Sequence, residues 1–276
     1  MFSARFPGFF LFDGMFPVCK NGGMKIILSP AKKMIHEDVI LPESMPVFLK
    51  DAEYLSSLLK GMSLEELKQL WKCSDKLAEE NLRRLEHMDL HNGLTPAVWS
   101  YSGLAYQSLA VSALTDKETD YLQKHLRILS GMYGVLKPMD GIAEYRLEMQ
   151  AMLANRNGND LYAFWSDRIY REVTEGDHVI IDAASKEYSR CITDYLKPED
   201  TYIECVFAQL KGAKPVVKGT MAKMARGAFV RWMAENRIKD AEEIRSFDRG
   251  YAYAPEYSDE SRYVFLQKQE IGNEQV

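Results

Sequence analysis

The stretch HVIIDAAS, residues 178–185, carries the strongest indication of the fold class. Its short apolar run ends in small and polar residues, a pattern typical of a fully buried strand. A helical pattern follows at 187–196, and a second apolar run, KIILS at 25–29, ends at Ser29-Pro30. We therefore predict an α/β fold of the mixed α+β kind, in which helices flank a mixed sheet.

Further helices and strands extend this pattern along the chain. Ser63 and Thr115 each open a capping box, which predicts the start of a helix. The helix after Ser63 is expected to be interrupted near Cys73-Ser74, and the helix after Thr115 to continue through Leu129. Helical periodicity also covers 160–173. Strands are predicted at YIECVFAQL (202–210), PVVKG (215–219) and RYVFLQK (262–268).

The domain organisation follows from what is missing between these elements. Neither a low-complexity linker nor a repeat of fixed period occurs, which favours a single domain over residues 24–276, with two smaller domains as the alternative. Residues 1–23 lack the unbroken apolar run and cleavage site of a signal peptide. Because Met24-Lys25-Ile26 resembles a natural start, we expect 1–23 to be a non-native or disordered extension. An N-terminal arm docked on the body is the alternative.

Composition excludes several classes of protein. The chain has 276 residues, of which 46% are hydrophobic and 27% charged, as in ordinary globular proteins. It has no run of about 18 apolar residues, so no membrane partner is expected. Its four cysteines lie far apart, which indicates neither a zinc ribbon nor a disulfide framework. These features predict a soluble cytoplasmic protein, with a monomer favoured.

The charge is segregated along the chain. The net charge of −5 excludes a globally basic nucleic-acid binder, yet residues 206–239 hold eight basic side chains against the single acid Glu235, a local charge of +7. Drawn as a helix, 220–238 has an apolar side and an opposite basic side. The basic side consists of Lys223, Arg226, Arg231 and Arg237.

Two small residues, Gly227 and Ala234, fall between these cations on the helical wheel. Such spacing lets a polyanion approach the helix backbone closely, and contacts to phosphates supply affinity without sequence information. The simpler interpretation is an amphipathic surface helix whose polar side happens to be basic.

A second candidate for phosphate binding is LRILSGMYGVLK, residues 126–137. A helix ending at Ser130, followed by the Gly131–Gly134 turn, resembles a helix-hairpin-helix element, in which glycines let backbone amides approach a phosphate. Arg127 and Lys137 would add positive charge. The alternative is a glycine that caps the helix before a tight turn.

A third candidate is a pocket at the ends of the two buried strands. Ser29 and Lys32 follow the first strand, and Asp182 and Ser185 follow the other. Open α/β sheets bind ligands at strand ends, so these four could form the site of an enzyme that acts on a nucleotide or nucleic acid. A Ser–Lys pair can also serve as nucleophile and base. Solvated loop lysines are the alternative for Lys32 and Lys33.

Other catalytic patterns are missing from the sequence. It contains no Ser/His/Asp order, no H-E-x-x-H and no G-x-S-x-G. Its five histidines show no metal-ligand spacing, so neither a metal nor a cofactor is predicted, and a protein that scavenges iron is the weakest interpretation. Whether the chain is an enzyme stays open, and a non-enzymatic binding protein is favoured.

Many ordered blocks together resemble the YaaA family of peroxide-stress proteins. They span nearly the whole chain from Met24 and include KIILSPAKKM (25–34), HLRILSGMYGVLKPMD (125–140), VIIDAASKEY (179–188) and KMARGAFVRWMAENRI (223–238). The resemblance implies a bacterial cytosolic protein that limits oxidative damage and is associated with lower free intracellular iron.

The resemblance also implies DNA binding through a basic cleft and a helix-hairpin-helix-like element. By position, the element would be 126–137, and the cleft would include Lys32, Lys33, Lys223, Arg226 and Arg231. We therefore predict a peroxide-stress protein that binds DNA mainly through its phosphates. Bubbles or single strands would be favoured if aromatic side chains stack on unpaired bases. The candidates for stacking are Tyr101, Tyr106 and Tyr133.

Overall fold

An eight-stranded sheet forms the centre of the computed structural model, which describes residues 23–268. The prediction for 1–23 therefore lies outside the described residues, apart from Gly23. A separate two-stranded ribbon joins the second and fifth strands. In chain order the strands are β1 (Met24–Leu28), β2 (Thr95–Pro96), β3 (Leu126–Ser130), β4 (Gly134–Leu136), β5 (Gly141–Ile142), β6 (Val179–Asp182), β7 (Thr201–Lys211), β8 (Lys214–Val216), β9 (Tyr251–Tyr253) and β10 (Arg262–Gln267).

The order of strands in the large sheet is β4-β3-β1-β6-β7-β10-β9, with β8 paired to β7. Strands β3, β1, β6, β7 and β10 are parallel, and β4, β8 and β9 are antiparallel. The chain adds β3 on one side of β1 and then continues with β6 on the other. In open sheets of this order, ligands bind at the carboxyl ends of the strands where the direction of winding reverses. That point lies between β1 and β6.

Helices surround this sheet, so the predicted mixed α/β fold is confirmed. Both predicted capping boxes are present, at Ser63 and Thr115. Lys72, with a φ of 46°, separates the second and third helices near the predicted interruption. The helices are α1 (Leu49–Lys60), α2 (Leu64–Trp71), α3 (Asp75–Glu86), α4 (Ala97–Ser100), α5 (Leu104–Leu109), α6 (Asp116–His125), α7 (Leu161–Trp165), α8 (Arg168–Val173), α9 (Lys186–Thr193) and α10 (Gly219–Asn236), with 3-10 turns at Val111–Ala113, Ala241–Ser246 and Pro255–Tyr257.

The predicted helix-hairpin-helix-like element is wrong. Helix α6 ends at His125, and the next five residues form β3, which is buried throughout and pairs with β1. Strand β4 then folds back antiparallel on β3. The apolar spacing at 121–129 fits a helix, but backbone hydrogen bonds to β1 and burial of the whole LRILS run outweigh this local preference.

Both glycines of this hairpin are required by packing and turn geometry. Gly134 has a φ of 71° and lies against the rings of Phe48 and Trp165. A Cβ atom on Gly131 would lie 2.4 Å from the carbonyl oxygen of Leu147. The turn between them is closed by Ser130, whose Oγ accepts hydrogen bonds from the amides of Met132 and Tyr133. Neither glycine therefore needs a phosphate to explain its presence.

Helix α10 begins and ends close to the predicted bounds, but its small residues are not open to a ligand. Gly227 and Ala234 are both buried. A Cβ atom on Gly227 would lie 1.8 Å from the carbonyl oxygen of Ala105 in α5. Because α10 packs against β7, α5 and α6, its buried face is wider than a single apolar stripe. The prediction that a polyanion approaches the backbone at these residues is wrong.

Within residues 23–268, no helix combines the length and apolar character that crossing a membrane requires.

Replacing Gly227 with alanine should lower the free energy of unfolding by about 3 kcal/mol, because a methyl group would collide with backbone that cannot rotate away. Urea unfolding measures this change. Gly219→Ala is the matched control on the same helix, since no atom lies within 4 Å of the added Cβ. Its effect should stay within about 0.5 kcal/mol. Equal stabilities of the two variants would contradict the close contact between α5 and α10.

Candidate functional site

A cavity of about 340 Å³ lies at the carboxyl ends of β1 and β6, where the sheet order reverses. Five parts of the chain contribute to its walls: 28–33, 102–106, 145–148, 183–188, and the first turns of α10. Strands β1 and β6 thus end at the same cavity. We call it the strand-end cavity.

Ser29 and Ser185 connect the two strand ends at this cavity. The backbone amide of Ser185 donates to Ser29 Oγ at 2.8 Å, and Ser29 Oγ donates to Ser185 Oγ at 3.1 Å. Tyr106 from α5 donates its hydroxyl to the carbonyl oxygen of Ser29 at 3.0 Å. These bonds hold two loops and α5 in one arrangement, so the cavity has a defined floor.

Lys32 lines the same cavity but does not contact Ser29. Its Nζ forms an ion pair with Glu148 Oε1 at 3.1 Å, and its side chain is 64% exposed. The Ser29–Lys32 nucleophile and base pair considered from sequence is therefore not formed in this structure.

Asp182 lies beneath the cavity and does not line it. Its carboxylate is buried and accepts hydrogen bonds from the amide of Ala184 and the hydroxyls of Ser189 and Tyr202. Burial raises the pKa of Asp182, and the three donors oppose that shift. Because its oxygens are occupied within the protein, Asp182 positions the loop that carries Ser185. The prediction that Asp182 lines the pocket is wrong.

Positive charge is in excess around the strand-end cavity. The carboxylates in its lining are Glu148 and Glu187, and burial raises the pKa of Glu187. Glu148 is shared between Lys32 and Arg146, whose Nη2 lies 3.1 Å from Glu148 Oε1. The cationic lining residues are Lys32, Lys33, Arg146, Lys223 and Arg226.

Arg226 is a half-buried cation without an ion pair among residues 23–268. Its Nε is buried and has no hydrogen-bond partner within residues 23–268, and no carboxylate there forms an ion pair with the guanidinium. Burial lowers the pKa of Arg226, and the more distant charges of Asp182 and Glu204 oppose that shift. A partly buried guanidinium of this kind is stabilised by any anion that enters the cavity.

The other predicted DNA-binding residues do not line this cavity. Arg231 follows Arg226 by five residues, about 7.5 Å along the helix axis, and its Nε binds Glu235 at 2.7 Å. Arg237 ends α10 in a left-handed conformation. Buried Arg127 donates to backbone carbonyl oxygens, among them that of Leu126 at 2.8 Å. With Lys137, it lines a separate cavity of about 50 Å³.

The predicted stacking of tyrosines on bases is wrong. Tyr101, Tyr106 and Tyr133 are all buried. The hydroxyls of Tyr101 and Tyr145 lie 2.7 Å apart, and the hydroxyl of Tyr133 accepts from the amide of Ala143 at 3.1 Å. Large aromatic side chains contribute more by filling the core than by facing solvent, and of these three Tyr106 lines the cavity.

Sequence reasoning did not assign Arg146 and Glu148 to the site. They lie two residues apart in a segment without regular secondary structure, and their side chains form an ion pair. That spacing was the available signal, but only the fold brings the segment to the ends of β1 and β6.

Cysteines and metal ligands contribute no further site among the described residues. Burial raises the pKa of the Cys191 thiol to about 12 and that of Cys205 as well, and Cys73 is half-buried. Cys19 lies outside the described residues. Between 23 and 268, no three His, Cys, Asp or Glu side chains are grouped closely enough to hold a metal ion.

Comparison with known proteins gives a consistent match over most of the chain. A family model described as peroxide stress protein YaaA matches residues 24–257. A UPF0246 protein of Agathobacter rectalis is 51% identical over 247 residues, which cover 89% of this chain and 99% of that protein. UPF0246 proteins of Lactiplantibacillus plantarum and Pediococcus pentosaceus are 46% and 43% identical, over 88% and 89% of this chain and 99% of each relative.

Asp182→Ala should lower the free energy of unfolding by about 3 kcal/mol, because three buried donors would lose their acceptor. Ser189→Ala, which removes one of those donors, should cost about 1 kcal/mol. Urea unfolding of both variants measures the difference. A cost for Asp182→Ala no greater than that for Ser189→Ala would show that the carboxylate does not organise this loop.

Proposed function

Because the chain belongs to the peroxide stress protein YaaA family, we propose that it acts in oxidative-stress protection by binding DNA at the strand-end cavity. The DNA is held by contacts between its phosphates and the cations around the cavity. Such contacts do not depend on base sequence, as protection of a whole chromosome requires. We expect this binding to take place in the bacterial cytoplasm, with the protein as a monomer. An association of the protein with lower free intracellular iron stays a prediction that rests on the family resemblance.

The convergence of cations from separate segments is the observation that supports this proposal. Lys33 follows β1 and Lys223 lies in α10, and both are exposed at the same cavity. Local clusters of like charge raise the free energy of the folded protein unless a counter-charge is present. A phosphate backbone supplies that counter-charge, and its binding releases condensed counterions.

An enzyme that acts on a nucleotide is the second candidate function. The observation that favours it is the position of the cavity, since open α/β sheets hold phosphorylated ligands where their winding reverses. Ser29, Ser185 and Lys32 are the polar side chains available there, while Asp182 is occupied beneath the floor. Turnover of a nucleotide that Lys32→Ala abolishes, with DNA affinity retained, would favour this candidate over binding alone.

Reversing the charges of Lys33 and Lys223 should weaken DNA binding by at least about tenfold and lower the salt slope by about two, one for each lost phosphate contact. Fluorescence anisotropy with labelled duplex, bubble and single-stranded DNA measures both quantities between about 50 and 200 mM salt. Lys117→Glu is the matched control, because Lys117 is exposed on α6 and does not line the cavity. Wild-type affinity of the Lys33→Glu/Lys223→Glu variant at every salt concentration would refute binding at this site.

A further inference from the structure

The interior of the strand-end cavity differs from its mouth. Lys33 and Lys223 are exposed at the mouth, whereas Arg226 is half-buried and Ser29 and Ser185 lie at the strand ends. A second arginine, Arg146, also has a buried Nε without a hydrogen-bond partner in the described part of the chain. Buried polar atoms are nearly always paired in folded proteins, so these two Nε–H groups indicate that the interior donates hydrogen bonds to a ligand.

The chemistry of the unpaired groups selects an oxyanion. A guanidinium presents its N–H groups in a planar fork that matches two oxygens of a phosphate. Ser185 Oγ accepts from Ser29 at 3.1 Å and keeps its own hydrogen, which it can donate to a further oxygen. Helix α9 begins at Lys186, next to Ser185, and the positive end of its dipole adds to the attraction.

The balance of charge distinguishes between kinds of phosphate. Five cations and two carboxylates line the cavity, which leaves an excess of three positive charges. A phosphate diester within a strand carries one negative charge, whereas a phosphate monoester carries about 1.5 to 2 at neutral pH. The monoester therefore offsets more of this excess charge. A DNA strand carries a phosphate monoester only at one of its ends.

The size of the cavity also fits the end of a DNA strand better than the middle of one. Its volume of about 340 Å³ is near the lower limit of pockets for small molecules, roughly 300–1,000 Å³. Walls from five parts of the chain leave space for about one nucleotide. Apolar lining residues offer a surface for its sugar and base, among them Leu104, Leu147 and Tyr188.

We infer that the strand-end cavity binds the terminal phosphate monoester of a nucleotide, with Arg226 as the residue that clamps the phosphate. The nucleotide is either free or the end of a DNA strand, since both present the same chemical group. This inference rests on the proposed function and narrows it from DNA in general to phosphorylated ends, such as those that strand breaks leave.

The test compares labelled single strands of one sequence that end in a 5′-phosphate, a 3′-phosphate or only hydroxyls. Anisotropy at fixed salt should show at least about tenfold tighter binding of one phosphorylated strand than of the hydroxyl-ended strand. Deoxyadenosine monophosphate should compete for the site, and deoxyadenosine should not. Competition by the monophosphate without any preference among strand ends would assign the site to a free nucleotide.

Arg226→Lys keeps the charge but removes the fork, so it should abolish most of the preference for the phosphorylated end, measured as the ratio of the affinities for phosphorylated and hydroxyl-ended strands. Arg231→Lys is the matched control, because Arg231 lies on the same helix, binds Glu235 and does not line the cavity. Thermal unfolding establishes that each variant is folded. If Arg226→Lys does not fold, the affinities of the wild-type protein for the three strand ends still decide whether the cavity prefers a phosphate monoester.

The outcomes separate the inference from the proposed function. Equal affinity for all three ends, no competition by the monophosphate and intact salt-dependent DNA binding would overturn the inference and leave the proposed function standing. Competition by the monophosphate in a protein with no affinity for any strand would overturn the proposed function and support a nucleotide site. Loss of the end preference in both arginine variants would refute the assignment to Arg226.

Discussion

The placement of β1 between β3 and β6 is the constraint on which the rest of this structure depends. All five residues of β1 are buried, and each neighbouring strand pairs with it in parallel. Parallel pairing makes the three strands end at the same edge, so Ser29 and Ser185 meet although they are far apart in the chain. The sheet reverses its order of winding at this edge, which is where open α/β sheets bind ligands, and the cavity lies there.

Two charged groups near this edge, the buried Asp182 and the half-buried Arg226, differ in how fully they are paired. Asp182 is surrounded by three internal donors, which offset the cost of removing a carboxylate from water. Arg226 has no comparable acceptor within the described residues. A protein that pairs one buried charge fully and leaves another unpaired carries a free-energy cost at the second, and an anionic ligand would recover that cost.

Helix α10 connects the core to this site. Phe229 packs on Phe207 of β7, with ring centroids 5.5 Å apart, and Gly227 lets α5 approach the helix backbone. These contacts fix the rotation of α10 about its axis. Lys223 and Arg226 consequently face the cavity, while Arg231 turns to Glu235. A basic stripe that is continuous on a helical wheel is thus divided by tertiary packing into residues at the site and residues in an ion pair.

Local sequence determined the strands β1 and β6, both capping boxes, the mixed α/β class and the resemblance to the YaaA family, because each depends on neighbouring residues or on ordered blocks. Tertiary structure alone decided that 126–130 is a strand, that Tyr101, Tyr106 and Tyr133 are core residues, and that Gly227 is covered. It also brought Arg146 and Glu148 to the cavity and placed Asp182 beneath it. The physical reason is that an apolar or basic pattern in the sequence indicates which side chains prefer burial and which prefer water. The partners that satisfy them, such as β1 for the LRILS run, come from distant parts of the chain.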